Sequence, residues 1–281
     1  MSDANAPQAT FWEELAPSWL EGERHSEQVA GRFGARAAER LAPQPGQRVL
    51  DIGCGSGPTT LRLATTVGPD GEAVGVDIAP SLVAAAQRRA ADAGVTNARF
   101  LTADVQTEDL GEEPFDAAFS RFGVMFFSDP VAAFERIRRL LTPGGTLSFA
   151  AWQNLFANEW MFVPGSAVIT VTGEFPPMPE PGDPGPFSLS DPGRIEEVLA
   201  AAGFTDIDVE DMAETVVLPA ESVGSLIELT RNVGPVREAL READAETSDR
   251  ILAEVGNALM TKVTDGELRL TAAAFIARAQ A

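Results

Sequence analysis

Arg48-Val-Leu-Asp-Ile-Gly-Cys-Gly-Ser-Gly-Pro58 is a short apolar run that leads directly into three glycines spaced two residues apart. Val49, Leu50 and Ile52 are the aliphatic residues typical of a buried parallel strand. Because glycine has no Cβ and adopts positive φ without strain, the spacing predicts a sharp turn whose bare backbone can lie against a ligand. The stretch therefore predicts a strand followed by a ligand-binding turn.

The residues after this turn, Thr59 to Thr66, predict a helix whose amino terminus points at the ligand. Its free N–H groups and positive dipole end favour an anionic group such as a carboxylate. The glycine spacing is G-x-G-x-G, with Pro58 where the dinucleotide pattern G-x-G-x-x-G needs its third glycine. Asp51 also adds negative charge, which would repel a pyrophosphate and tolerate a cation. The turn therefore disfavours a dinucleotide.

Composition limits the partners that the chain can have. Its 281 residues are 44% hydrophobic, which is enough for one large α/β domain with insertions. A net charge of −21 disfavours nucleic-acid phosphates and anionic membrane surfaces. The one cysteine, Cys54, excludes an intrachain disulfide and is compatible with a reducing compartment. Without a signal-peptide pattern or a long apolar run, we expect a cytoplasmic protein that does not bind membranes.

Apolar runs that alternate with helical patterns predict a doubly wound α/β fold, with a Rossmann-like, seven-stranded and mostly parallel sheet. After the first strand, strands are predicted at 73–77, 98–104, 115–121, 146–152, 205–218 and 267–278. Asp77, Asp104 and Arg121 end the second, third and fourth of these seven strands. Because ligands of such sheets bind at the carboxyl ends of the strands, we expect these three side chains to face one site.

The segments outside this alternation are predicted to form caps over one end of the sheet. An aromatic stretch precedes a helix that is predicted to start near Ser26, and the proline-rich residues 174–187 predict a covering loop. The predicted organisation is an N-terminal helical cap at 1–45, a ligand-binding core at 46–152, a Pro-rich cap loop at 153–190, a core helix and strand at 191–218, a helical cap insertion at 219–265 and a final core strand at 266–281.

The acid, spacer and G-x-G-x-G of residues 51–57 resemble the first motif of the class I S-adenosylmethionine-dependent methyltransferases. The resemblance continues motif by motif through residue 152 and is nearest to the ubiquinone/menaquinone-biosynthesis-like group of small-molecule enzymes. It implies S-adenosyl-L-methionine as the cofactor and the following binding residues: Trp19, Asp51, Gly53, Cys54, Gly55, Gly57, Asp77, Ile78, Asp104, Val105 and Ser120.

The family pattern also implies a role for most of these residues. The three glycines would pass the methionine part of the cofactor, with Asp51 hydrogen-bonding nearby. Asp77 would accept both ribose hydroxyls, because a carboxylate offers two acceptor oxygens. Asp104 and the Val105 backbone would meet the adenine amino group and ring edge, while Ile78 packs on the ring. The cofactor would thus extend along the ends of the first three strands.

Three residues near the expected methyl group have more than one interpretation. Ser120 and Arg121 stand where the family places residues that flank the methyl group, and Arg121 could hold a substrate carboxylate or pair with an acid such as Asp129. Cys54 is better explained as a small apolar filler than as a nucleophile, because methyl transfer needs no covalent enzyme intermediate.

The acceptor site and a general base are less well defined by the sequence. Four side chains are predicted to line an apolar acceptor pocket, although packing beneath the caps explains them equally well: Phe122, Met125, Trp152 and Trp160. Methyl transfer from a sulfonium is an in-line displacement, so positioning and water exclusion should dominate. His25, the one histidine, and Arg121 are the predicted catalytic residues, with a cap-packing role for His25 left open.

Together these features predict an S-adenosylmethionine-dependent transferase that methylates O, N or C of a small organic acceptor in bacterial secondary or quinone-like metabolism. No metal is expected, and a homodimer is left open. One alternative is a methyltransferase-fold protein that uses the cofactor structurally, for a non-methylating reaction or for regulation. The other is an NAD-dependent oxidoreductase, which the glycine spacing disfavours.

Overall fold

One central sheet organises the molecule, which a computed structural model describes over residues 5–111, 113–176 and 182–281. Its strands are β1 Arg48–Ile52, β2 Glu72–Asp77, β3 Ala98–Thr102, β4 Phe115–Arg121, β5 Leu141–Trp152, β6 Thr205–Pro219, β7 Val263–Thr264 and β8 Glu267–Gln280. The order across the sheet is β3-β2-β1-β4-β5-β8-β6, and β7 pairs with β8 beside this path. β1 to β5 are parallel and β8 is antiparallel to β5 and β6. The predicted doubly wound, mostly parallel sheet is confirmed, but the described residues form eight strands and not the predicted seven, because the short β7 adds to β8.

Helices surround this sheet. In the described residues they are α1 Ala6–Leu41, α2 Pro58–Val67, α3 Pro80–Ala93, α4 Pro130–Leu140, α5 Glu159–Thr172, α6 Pro192–Ala201, α7 Val223–Asn232, α8 Gly234–Glu242 and α9 Ala245–Met260. Asp129, Asp191 and Asp244 cap α4, α6 and α9, each by accepting a backbone N–H from the third helical residue. No helix in the described part of the chain is both long and apolar enough to cross a bilayer.

The centre of the sheet is covered on both faces. Val49 and Leu50 are successive residues of β1, so their side chains point to opposite faces, and both are fully buried. β1 pairs with β2 on one side and β4 on the other. The ends of these parallel strands are therefore held in fixed positions by a packed core.

α1 begins at Ala6 and runs for 36 residues, so the predicted start near Ser26 is wrong. Pro17 lies inside this helix, although a proline normally interrupts a helix because it has no N–H to donate. Packing across the fold outweighs that cost: Trp12 meets the ring of Phe126 edge to face, with centroids 5.0 Å apart. The predicted start was too late because contacts of this kind join residues that are distant in sequence.

The second half of α1 is attached to the edge strand β6 by a row of arginines. Three arginines spaced four residues apart pair with acids of β6: Arg32 with Glu214, Arg36 with Glu210, and Arg40 with Asp208 and Glu210. Since most of these side chains are partly exposed, each pair contributes at most about 1 kcal/mol. The row mainly fixes the direction in which α1 crosses the sheet.

Three other local predictions are corrected. Residues 159–172 of the predicted cap loop form α5, with Val163 and Val168 buried on the core; of the proline-rich stretch, residues 177–181 lie outside the described residues. Val263 lies in β7 rather than on a helix, because the turn at Gly266 folds the chain back onto β8. β3 ends at Thr102, which leaves Asp104 two residues beyond it.

Candidate active site

A cavity of about 240 Å³ lies at the carboxyl ends of the parallel strands. Its floor is the glycine turn after β1 together with the residues that follow β2, β3 and β4. α1 covers it, joined by the start of α5, by Pro186 and by the junction of α7 and α8. The three segments predicted as caps therefore converge over one end of the sheet, as expected.

The glycine turn presents bare backbone to the cavity. Gly53 and Gly55 have φ of +67° and +55°. A Cβ on Gly53 would lie 2.8 Å from the backbone of the loop after β4, and one on Gly55 would project towards Trp19 Nε1 at 3.9 Å. Gly57 (φ +85°) does not line the cavity; a Cβ there would lie 2.8 Å from the Phe100 ring. Its predicted cofactor contact is therefore replaced by a packing role against β3.

Asp51 is a fully buried acid at the wall of the cavity. Thr60 Oγ1 donates a hydrogen bond of 2.6 Å to its Oδ2. Burial raises the pKa of this carboxyl to about 6, although the Thr60 hydrogen bond and the charge of Arg121 favour ionisation. Because desolvation opposes its charge, a cationic ligand placed beside Asp51 would be stabilised and would in turn stabilise the carboxylate.

Asp77 is the last residue of β2 and faces the same cavity. Its Oδ2 accepts the Gly55 N–H at 2.8 Å and its Oδ1 accepts the Ala79 N–H at 3.0 Å. Burial raises the pKa of Asp77, while these backbone donors oppose that shift. Each carboxylate oxygen can accept two hydrogen bonds, so both keep capacity for a ligand hydroxyl.

Asp104 lies at the far end of the cavity and contacts the beginning of α1. Its Oδ2 accepts hydrogen bonds from Asn5 Nδ2 (2.9 Å) and Thr107 Oγ1 (2.8 Å), and its Oδ1 accepts the Gln106 N–H. Asn5 precedes α1 but does not cap it; its amide oxygen instead accepts the Ser128 N–H at 3.1 Å. Asn5 therefore joins the amino-terminal end of the cover to the loop after β3.

Four further residues of the predicted cofactor set line the cavity: Trp19, Cys54, Ile78 and Val105. Burial raises the pKa of the Cys54 thiol well above its usual value, and the side chain is nearly inaccessible. A protonated, buried thiol is a poor nucleophile. Cys54 thus behaves as the apolar filler that the sequence suggested.

Ser120 does not line the cavity, contrary to its predicted contact with the cofactor. Its side chain is fully buried, where Oγ donates to the Ile52 carbonyl at 2.8 Å and accepts the Gly123 N–H at 3.2 Å. The first bond joins the end of β4 to the end of β1, and the second holds the turn that follows β4. Ser120 shapes the loop that carries the neighbouring residues and has no surface left for a ligand.

The predicted acceptor residues form an aromatic wall. Phe122 and Trp152 stack with centroids 3.8 Å apart and planes 10° apart, and Trp160 lies against Trp152 at 5.3 Å. Met125 Sδ accepts the Trp152 N–H at 3.3 Å, and all four side chains line the cavity. Phe122 has a φ of +64°, which is unusual for an aromatic residue. Its ring is held in place at a cost in backbone strain.

Arg121 lies next to this wall and lines the cavity. Its Nη1 forms an ion pair with Glu27 of α1, whereas Asp129, the predicted alternative partner, caps α4. Glu27 also pairs with Arg62 at 3.2 Å. The two arginines lower the pKa of Glu27 against the effect of its burial. Arg121 thus links the cover to the end of β4.

His25 is a partly buried residue of α1 and does not line the cavity, although its neighbours Glu23 and Ser26 do. The helical phase turns its side chain away from them, because residues that share a face are three or four positions apart. The structure therefore does not bring the predicted base to the site.

Sequence reasoning missed most of the contribution of α1. The following residues recur at helical spacing along its cavity face: Gln8, Trp12, Leu15, Trp19, Glu23, Ser26 and Ala30. This spacing is visible in the sequence, but the residues before Ser26 were predicted as an aromatic stretch that precedes the helix and not as part of it. Glu23 accepts hydrogen bonds from Arg89 and Ser56 and so fastens α1 above the glycine turn.

No group of three or more His, Cys, Asp and Glu side chains suited to a metal occurs in the part of the chain that the structure describes. The carboxylates of the cavity are instead bonded to hydroxyl, amide and guanidinium donors.

The sequence is similar to a known protein family. Residues 43–163 match a family model described as a methyltransferase domain. The chain is 34% identical to aklanonic acid methyltransferase DauC of Streptomyces sp. (strain C5) over 119 residues, which are 42% of this chain and 54% of that protein. The match therefore spans about half the length of this relative.

Two longer matches have lower identity. Nocamycin O-methyltransferase of Saccharothrix syringae is 29% identical over 206 residues, 71% of this chain and 73% of that protein. Demethylmenaquinone methyltransferase of Thermus thermophilus is 29% identical over 185 residues, 62% of this chain and 81% of that protein.

Proposed function

We propose that this chain, which belongs to the class I S-adenosylmethionine-dependent methyltransferase family, transfers a methyl group from S-adenosyl-L-methionine to O, N or C of a small organic acceptor. One observation carries the proposal. Buried carboxylates at the ends of three adjacent strands open into the same cavity as an aromatic wall, under one cover. Such a site can hold a cationic, ribose-containing cofactor beside an apolar acceptor.

The residues of the cofactor end suit this ligand chemically. Asp51 is a buried carboxyl whose ionisation is opposed by burial, and a sulfonium or ammonium group would favour it. Asp77 retains acceptor capacity on both oxygens for two ribose hydroxyls. Gly55 leaves room beside Trp19 for a ligand chain to cross the turn.

For the adenine ring we propose the segment after β3. Asp104 and the Val105 backbone would meet its polar edge, and Ile78 would pack on its face, as the family pattern implies. Asn5 already uses one oxygen of Asp104, so the other oxygen is the better acceptor for the adenine amino group. The first turn of α1 would then close over the base.

When bound, the cofactor supplies an electrophilic methyl group on a positively charged sulfur. The chain's own residues act mainly by position: the glycine turn and Asp77 fix one reactant, and the aromatic wall orients the other. α1, α5 and the α7–α8 junction exclude water from the space between them. This arrangement asks for no covalent enzyme intermediate.

For the acceptor we propose a flat, largely apolar molecule. The stacked Phe122 and Trp152 rings offer a planar apolar surface, which suits conjugated rings better than flexible chains. The names of the relatives, an aklanonic acid methyltransferase, a nocamycin O-methyltransferase and a demethylmenaquinone methyltransferase, support acceptors from secondary or quinone metabolism. A cytoplasmic location and a homodimer stay predictions.

Calorimetry with S-adenosylhomocysteine and with NADH tests the cofactor assignment. We expect saturable binding of the first and none of the second. Mass spectrometry of a metabolite library incubated with the protein and S-adenosylmethionine should then reveal a product one methyl group heavier. Binding of NADH alone would contradict the proposal, and cofactor binding without any methylated product would leave the structural use of the cofactor as the better account.

A further inference from the structure

Arg121 is the one cation among the described residues that line the cavity. The acids that line it belong to the proposed cofactor end or are already paired. Asp51, whose ionisation the charge of Arg121 favours, lies at that end with Asp77 and Asp104, and Glu23 is paired with Arg89. Arg121 is thus a local positive charge at the acceptor end of a strongly acidic protein. A guanidinium placed this way can hold a carboxylate or another planar anion through two parallel hydrogen bonds.

The ion pair that holds Arg121 can be opened without leaving a buried charge unpaired. Its partner Glu27 also pairs with Arg62, at 3.2 Å. If Arg121 turns to a ligand, Glu27 keeps Arg62 and stays half-exposed to solvent. An anionic ligand could therefore replace Glu27 at Arg121 while every charge keeps a partner.

α1 has a glycine where the Arg121 side chain passes. A Cβ on Gly34 would lie 2.5 Å from Arg121 Cδ, which is too close for any real contact. Gly34 has an ordinary helical φ, so the backbone does not demand glycine there. Because Gly34 has no side chain, the Arg121 side chain can pass beneath α1 at this position.

The residue that follows Arg121 supplies a flat surface beside its charge. Phe122 stacks on Trp152 while its backbone is held at a φ of +64°, a conformation that is strained for an aromatic residue. Strain of this kind persists where the surroundings over-determine it, and it is concentrated at functional sites. A cation and a planar ring thus adjoin at the end of β4.

The acceptor end of the cavity has few side chains that could remove a proton from an acceptor. The described lining residues include no histidine, lysine or tyrosine, and burial keeps the Cys54 thiol protonated. Glu23 is held by Arg89 and Ser56. Asp51 is the remaining candidate base, and it lies at the proposed cofactor end.

We propose that the acceptor is a planar conjugated acid, a carboxylic acid or an acidic phenol or enol, which binds as its anion with its charge on Arg121 and its ring on Phe122, and is methylated on oxygen. The inference rests on the proposed function and specifies the chemical class of the acceptor. The anionic oxygen of the acceptor uses its own electron pair to form the bond to the methyl carbon. The electrons of the broken carbon–sulfur bond stay on sulfur, which becomes a neutral thioether, and no proton is transferred to the protein.

Binding of a matched pair of probes tests the charge requirement without turnover. Protein saturated with S-adenosylhomocysteine is titrated with anthraquinone-2-carboxylate and with anthraquinone-2-carboxamide. We expect the carboxylate to bind about tenfold or more tightly, the effect of a charge-assisted hydrogen bond. Arg121→Gln should abolish this preference. Glu27→Gln should increase affinity for the carboxylate, because it frees Arg121, and Arg24→Gln on the exposed face of α1 is the control that should change nothing.

Gly34→Ala tests the path of Arg121 while keeping all charges. We expect it to weaken the carboxylate and leave the carboxamide and S-adenosylhomocysteine unaffected. Gly22→Ala is the matched control on the same helix, since its Cβ would meet Leu229 at an ordinary 3.6 Å. Equal binding of carboxylate and carboxamide by the unaltered protein would overturn the inference. Failure of S-adenosylhomocysteine itself to bind would instead overturn the proposed function.

The pH dependence of turnover distinguishes an ionised acceptor from an enzymic base. With a series of phenols of different acidity, the midpoint of kcat/KM should follow the pKa of each acceptor. One common midpoint near 6 for all acceptors would identify Asp51 as the base and contradict the inference.

Discussion

The two ends of the cavity are built in different ways. At the cofactor end, Asp51 and Asp77 lie on or directly after short central strands, and backbone N–H groups hold Asp77. At the proposed acceptor end, Phe122 follows β4, Trp152 ends β5 and Trp160 lies in α5, and their rings contact one another and Phe33 of α1. The first end is positioned by the sheet, and the second by packing among segments far apart in sequence. Substitutions at the two ends should therefore affect different ligands.

The largest expected effect concerns stability at the cofactor end. The pKa of Asp51 rises from 3.8 to about 6 on folding, so the folded state holds a proton between those pH values that the unfolded chain releases. The free energy of unfolding should therefore fall as pH rises through this window, by about 3 kcal/mol at most. Asp51→Asn keeps an acceptor for Thr60 and should stabilise the protein by up to that amount at pH 7, while weakening the cofactor.

Urea unfolding of both proteins at pH 4 and pH 7 measures this effect. The two should be nearly equal in stability at pH 4 and should diverge towards pH 7. A constant difference at both pH values would show that the carboxyl of Asp51 is not destabilised by burial.

The next effect separates the two ends by affinity. Asp77→Ala removes the acceptor proposed for the ribose hydroxyls and should weaken S-adenosylmethionine by about 1.5 to 3 kcal/mol. That loss is about 10- to 150-fold in Kd. Asp92→Ala, on the exposed face of α3, is the control in the same calorimetric experiment. Unchanged affinity in the Asp77 variant would remove this residue from the cofactor site.

At the acceptor end we expect a smaller effect, on the KM for the acceptor and not on the affinity for the cofactor. Trp160→Phe keeps an aromatic ring but removes the N–H that donates to Asn158 Oδ1 at 3.2 Å. Since Asn158 also accepts the Ala273 N–H, the loss should be about 1 kcal/mol. KM for the acceptor should rise a few-fold with the cofactor Kd unchanged. If the cofactor Kd changed instead, the division of the cavity into two ends would be wrong.

The smallest effect is expected for His25→Ala, which should lower kcat by less than about tenfold. The side chain is outside the cavity lining, so the pH profile of turnover should also keep its shape. A loss of about a hundredfold would show that α1 rotates His25 into the site during turnover.

The same contrast explains what the sequence could and could not predict. Asp77 was predictable because a strand of small and β-branched residues that ends in an acid is a local pattern. Gly55 and Gly57 look equivalent in the motif, yet only contact with Phe100 shows that the second serves packing. Ser120 is a similar case, since the carbonyl to which its hydroxyl donates belongs to Ile52 at the end of β1. Local patterns therefore predicted residues of the proposed cofactor end, whereas long-range packing determines the rest of the cavity.

α1 shows that long-range packing can extend a helix beyond the start that its local sequence predicts. The helix was predicted to start near Ser26, so the cavity-facing positions that recur on both sides of Pro17 were not connected. The aromatic contacts that hold the first half of α1 involve Phe126, more than a hundred residues away. No propensity within the amino-terminal stretch contains that information.

The left-handed backbone of Phe122 has a consequence for the way this protein evolves. Glycine or asparagine would adopt a φ of +64° with less strain than phenylalanine. Replacement of Phe122 by either residue should therefore relieve backbone strain. Laboratory selection for thermostability alone should recover such replacements at position 122, whereas selection for turnover should retain an aromatic residue. At position 122, stability and acceptor recognition therefore favour different residues.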